Sequence, residues 1–159
     1  MLFSVVATDL VEGRPIRIAH GSLHAALAAS CAVPGLFPPQ HMGERLLVDG
    51  GSVTEVPIWA AHLFGCSAPV LAVYMGRPFH RITDYKTSTE VSSRTNALIH
   101  AELVREQLGR ADLLLTIPMD NVGWLDFRQS RRIVELGRHT TETGLPRILA
   151  RLDRAKPAE

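Results

Sequence analysis

The chain has 159 residues, of which 46% are hydrophobic and 21% charged, with a formal net charge of +1. A domain of that length buries about 70% of the surface its unfolded chain exposes, so one ordinary globular core is expected. The near-neutral balance offers no footprint for nucleic acid, the two cysteines, Cys31 and Cys66, make no disulfide framework, and no apolar run approaches a membrane span.

The opening MLFSVVATDL lacks the basic flank of a secretory leader, and its apolar, β-branched run over residues 2–10 predicts a buried strand with a polar exit. Gly13 and Pro15 mark a turn, after which Ile16 and Ile18 alternate in a short extended piece. Ser22 is placed to cap a helix through LHAALAAS. Pro34 and Gly35 close that helix, and VPGLFPP, with three prolines in seven residues, reads as a rigid loop.

RLLVDGG, at residues 45–51, predicts a second strand. Thr54 is the expected cap of the next helix, with Glu55 and Pro57 in its first turn, and Gly65 fits the position just past its end. APVLAVYM, at residues 68–75, is a third strand, followed by a long polar connection, GRPFHRITDYKTSTE. Ala97, Leu98, Ala101, Val104 and Leu108 recur at helical spacing, with Glu102, Arg105, Glu106 and Arg110 expected to face water. ADLLLTIPM, at residues 111–119, is a fourth strand. Asp126 and Gln129 have the spacing of a capping box that opens a helix carrying Ile133, Leu136 and Gly137. A second segment carries Leu145, Ile148 and Leu152, and RAKPAE is a frayed tail. Strands alternating with helices predict an α/β fold built on a mostly parallel sheet.

In such sheets ligands gather at the carboxyl ends of the strands. Asp49 stands at one, and the following Gly50 and Gly51 permit positive φ and close approach of another backbone or a substrate. An aspartate there can deprotonate or orient a nucleophile within hydrogen-bond reach. Asp-Gly alone is also an ordinary turn signal.

The wider pattern separates these readings. ATDL after a strand, a Gly-Ser-Leu helix entry, AASCAVPGLFPP and then LVDGG, with Pro57 six residues past Gly51, together resemble the patatin-like phospholipase family, its bacterial members in particular. GRADLLLTIPMDNVGWLDF is similar to the end of that domain, so the resemblance runs over essentially the whole chain. It implies a three-layer α/β/α sandwich and a Ser–Asp dyad that hydrolyses lipid acyl esters without a cofactor or metal. In that arrangement the serine sits in a GxSxG elbow, a glycine-rich loop supplies oxyanion N–H groups, and the aspartate of the Asp-Gly-Gly motif is the base. Asp49 matches that base, and Gly50 and Gly51 the rest of its motif.

The departure from the family is large. No GxSxG occurs in the sequence, and no glycine-rich oxyanion loop. Both are implied to lie N-terminal to the ATDL strand. The expected organisation is therefore the C-terminal half of a catalytic domain at residues 1–65, closing strands and helices of the same domain at 66–154, and a tail at 155–159. In a serine hydrolase, loss of the nucleophile costs about six orders of magnitude in turnover, so these residues alone are expected to be inactive. Central strands deprived of neighbours are expected to leave an open sheet edge through which the chain self-associates. Three functions follow: a patatin-like hydrolase supplying its aspartate, a non-catalytic remnant or interaction module, and an unrelated α/β binding domain whose Asp49 only makes a turn. The motif run opposes the last.

Other candidates have simpler readings. Ser30 ends a helix among small apolar residues and reads as structural. Asp9 lacks the second aspartate two residues on that phosphotransfer enzymes carry, Val11 standing there, and is expected to satisfy loop backbone groups. His20 and His24 have ligand spacing but no third ligand in nearby sequence. Cys31 and Cys66 are expected to be buried, Trp59 to lie in the core, and Trp124 to pack under the last helix. Arg131, Arg132, Arg138, Arg147, Arg151 and Arg154 could meet anionic head groups, but a solvated face diluted by Glu135, Glu142 and Asp153 is the plainer expectation. The expected location is the cytoplasm, at most peripheral to a membrane.

Overall fold

A short loop forces antiparallel pairing, and the first strands are joined by short loops. In the computed structural model, which describes residues 2–65, 68–76, 81–120, 122–123 and 126–154, β1 (Val5–Asp9) turns back into β2 (Arg14–Ile18), and Ala7 faces Ile16 across the pair. The turn closes with Gly13 in the left-handed region at φ 65°, where its N–H reaches the Asp9 carbonyl at 2.9 Å. β3 (Gln40–Met42) and β4 (Arg45–Asp49) form a second tight hairpin, and β4 lies antiparallel to β1 with Ala7 opposite Asp49. The strand order is β2-β1-β4-β3.

Helix α1 (Leu23–Ser30) covers this sheet. Ser22 caps it as expected, its hydroxyl oxygen accepting from the Ala25 N–H at 3.3 Å. Small residues let the helix approach closely: Ala26 and Ala29 pack with Ala7, Ile16, Ile18 and Leu47 in one buried cluster. β4 runs into a single 3-10 turn (Gly50–Ser52), then α2 (Ile58–His62). Thr54 does not cap α2. It is buried, with its N–H on the Gly50 carbonyl, and Pro57 occupies the cap position with no side-chain bond. Gly65 adopts φ 67° just past the helix, as expected.

Two compact units are present, Met1–Cys66 with Ser93–Arg110, and Ser67–Ser92 with Ala111–Glu159. In the second, β5 (Leu71–Gly76) pairs in parallel with β6 (Leu113–Pro118), the two being joined through α3 (Ser88–Leu108). Leu113 and Leu115 are buried against Ile148 of α4 (Ser130–Arg154).

Helices and strands mix as an α/β chain should. The expectation of a mostly parallel sheet is corrected: of the four described pairings three are antiparallel, and only β5–β6 is parallel. Of the connections between paired strands that follow one another, only β5-to-β6 is long enough for a crossover. Three smaller expectations also change. The 130–154 segment is one helix with Pro146 inside it, not two pieces. Asp126 makes no capping box, because its carboxylate accepts instead from the Arg128 and Gln129 side chains. The Arg128 bond holds that carboxyl below its usual pKa. In α3, Val104 is buried and Ala101 and Leu108 half-buried, but Ala97 and Leu98 are exposed. Among the described residues no helix is long and apolar enough to cross a membrane.

Candidate active-site loop

Asp49 is the last residue of β4, and its backbone is held on both sides. Its N–H donates to the Ala32 carbonyl at 3.0 Å, and its carbonyl accepts from the Thr8 hydroxyl at 3.1 Å. The half-buried carboxylate then folds over its own turn: Oδ1 accepts from the Gly51 N–H at 2.6 Å. Among the described residues no hydrogen bond or ion pair engages Oδ2. One oxygen therefore fixes the carboxylate while the other keeps its lone pairs for a ligand.

The two glycines serve the expected close approach of another backbone, and neither adopts the positive φ that glycine permits. A Cβ on Gly50 would sit 2.4 Å from the Val6 carbonyl oxygen, so the space a side chain needs is filled by β1 backbone. A Cβ on Gly51 would lie 2.9 Å from Asp49 Oδ1. The absence of both side chains lets the turn tuck under β1 and the carboxylate close on the Gly51 amide.

A residue the sequence reading passed over completes the loop. His100, on α3, places Nε2 3.0 Å from the Gly51 carbonyl oxygen and 3.4 Å from Glu55 Oε2. The only trace in the sequence is that His100 interrupts an otherwise apolar helical stripe.

The other candidates fall apart from Asp49's chemistry. The Ser30 hydroxyl donates to the Val6 carbonyl at 2.8 Å, a structural bond as expected. Asp9 has no exposed surface, and its Oδ1 accepts from the Val11 and Glu12 N–H groups at 3.0 and 3.3 Å, satisfying loop backbone as expected. Its Oδ2 faces Arg45 Nε at 3.6 Å. His20 and His24 are exposed. Cys31 is exposed, correcting the expectation of burial: it follows the last turn of α1 and faces outward. Trp59 is half-buried. Cys66, Trp124 and the Arg154 side chain lie outside the described residues.

Residues 3–62 match the patatin-like phospholipase family. That segment is patatin-like. It holds the first sheet, α1, Asp49 and both glycines. An NTE family protein of Mycobacterium tuberculosis, described as uncharacterised, is 46% identical over 55 residues, which is 35% of this chain and 9% of the relative. A Mycobacterium bovis protein of the same description matches to the same extent. A second such protein of M. tuberculosis is 41% identical over 56 residues, 35% of this chain and 16% of its own length. The matched region is thus a small part of each relative. His100 lies outside the patatin-like segment.

Proposed function

We propose that this chain carries the aspartate of a patatin-like lipid acyl-ester hydrolase, with Asp49 as general base. The observation that supports this best is a strand-end carboxylate with one oxygen bonded to its own turn and the other unengaged, inside the patatin-like segment. In the reaction, Asp49 Oδ2 takes the proton of a serine hydroxyl as that oxygen attacks the ester carbonyl. The protonated aspartate returns the proton to the departing alcohol, leaving an acyl-serine. Water, deprotonated by the same carboxylate, then releases the fatty acid and restores the serine. Ser30 is committed to the Val6 carbonyl and does not serve as that nucleophile. The serine and the oxyanion donors come from a complementary half with a GxSxG elbow. Function in the cytoplasm, peripheral to a lipid surface, belongs to the same reading.

A second reading is a non-catalytic remnant or interaction module. A fluorophosphonate probe separates the two. These 159 residues alone should remain unlabelled, whereas the chain combined with a patatin N-terminal half should be labelled at that half's serine. Asp49→Asn should then slow labelling about 10⁴-fold, the scale on which a triad aspartate acts. Labelling indifferent to Asp49→Asn would remove Asp49 from the chemistry. Failure of every complementary half to produce labelling would favour the non-catalytic reading.

A further inference from the structure

His100, Val104 and Gln107 recur at i, i+4 and i+7 and so share one face of α3. Val104 anchors that face in the core at 3% exposure. The two polar residues flanking it bond backbone, and all of that backbone belongs to the stretch following Asp49. His100 Nε2 donates to the Gly51 carbonyl at 3.0 Å. Gln107 uses both ends of its amide, Nε2 donating to the Val53 carbonyl at 3.2 Å and Oε1 accepting from the Val56 N–H at 3.0 Å. The loop supplies each of these partners from at least 49 positions away in the chain.

We propose that His100 and Gln107 are positioning residues for Asp49. They form a clamp on α3 that holds residues 51–56 so that the Gly51 N–H stays aimed at Asp49 Oδ1. Gly51 is the link: its N–H holds the carboxylate while its carbonyl is held by His100. Two consecutive glycines have more backbone freedom than any other pair, and no side chain with which to be anchored. Only backbone contacts can restrain them, and α3 makes such a contact. With the clamp released, Gly51 rotates, the bond to Oδ1 lengthens, and Oδ2 no longer has one direction. This inference rests on Asp49 being the base, but it is tested without catalysis.

The experiment is NMR on the full chain, reading amide hydrogen exchange and the Asp49 carboxyl ¹³C signal. His100→Ala should speed exchange at Gly51 about five- to tenfold, the effect of losing one ordinary hydrogen bond, and should move the Asp49 signal. His100→Gln, which keeps an N–H donor, should return both toward the native values, a rescue that loss of packing alone would not give. Gln107→Ala serves where His100→Ala fails to fold: it should speed exchange at Val56 and shift the Asp49 signal in the same sense. An Asp49 signal unmoved in the folded variants, or moved equally by Ala and Gln at position 100, overturns the clamp. Absence of probe labelling in a complemented enzyme would instead overturn the base and leave the clamp standing.

Discussion

A methyl group added at Gly50 would lie 2.4 Å from the Val6 carbonyl oxygen and 3.3 Å from that residue's side chain. Backbone in the middle of a four-stranded sheet has little room to yield, so Gly50→Ala should destabilise the chain by about 1–3 kcal/mol, the usual penalty of overpacking. Gly137 gives the opposite sign. It lies inside α4, and its Cβ would rest in ordinary contact, 3.6 Å from Ile117 Cδ1. Alanine there keeps the contact and narrows the unfolded ensemble, so Gly137→Ala should stabilise by about 0.5–1 kcal/mol. Urea unfolding of the two variants beside the native chain checks both signs. Equal shifts in one direction would mean that glycine propensity, not the space around each residue, decides the effect.

At the scale of the element, α4 is the helix whose continuity local chemistry opposes. Pro146 has no N–H for the Glu142 carbonyl, and the Thr140, Thr141 and Thr143 hydroxyls donate back to the carbonyls of Leu136, Gly137 and His139. A sequence reading breaks the helix there for good local reasons. The segment is nonetheless one helix because its far end is held by packing, Ile148 on Leu113 and Leu115, and because a bare Gly144 lets the helix lie close over Leu115. Pro146→Ala should therefore raise the helical circular-dichroism signal and stabilise the chain by about 1–3 kcal/mol, the proline penalty less what relaxation already recovers. A thermal melt unchanged by the substitution would show that the helix accommodates Pro146 without loss. The same contrast explains what the sequence discloses elsewhere. The Ser22 cap and the placing of Asp49 at a strand end are encoded within a few residues, and both could be read directly. Thr54 carries the chemistry of a cap, but α2 begins only at Ile58, so Pro57 and not Thr54 stands at the cap position. The short turn at Gly13 already implies the antiparallel β1–β2 pair, whereas the β1–β4 pairing was hidden because a strand's own pattern does not name its neighbour. His100 was hidden because nothing local in its stretch of helix marks a residue whose partner is a glycine carbonyl 49 positions away.

At the scale of the molecule, the second unit covers only part of its sheet. Parallel register puts Leu71, Val73 and Met75 of β5 on the same face as Leu113, Leu115 and Ile117 of β6. The β6 row is sheltered by α4, with Leu113 and Leu115 buried, whereas Leu71, Val73 and Met75 remain 42%, 57% and 54% exposed. Parallel strands ordinarily have both faces covered, so an uncovered apolar row of this kind is an adhesive surface. Among the described residues β5 also pairs on one side only, leaving an edge beside that row. We therefore expect the chain to bind an apolar dye such as anilinonaphthalene sulfonate in its folded state. We also expect it to sediment as a mixture of monomer and larger species that shifts with concentration. Val73→Lys tests the source, because a charge at an exposed position disturbs the fold by no more than about 0.5 kcal/mol yet places an ammonium group in the middle of the row. Dye fluorescence and the associated fraction should both fall in that variant while its melting temperature holds. If association persists with dye binding lost, the open edge of β5 is responsible rather than the face, and a proline at an edge position becomes the variant that abolishes it.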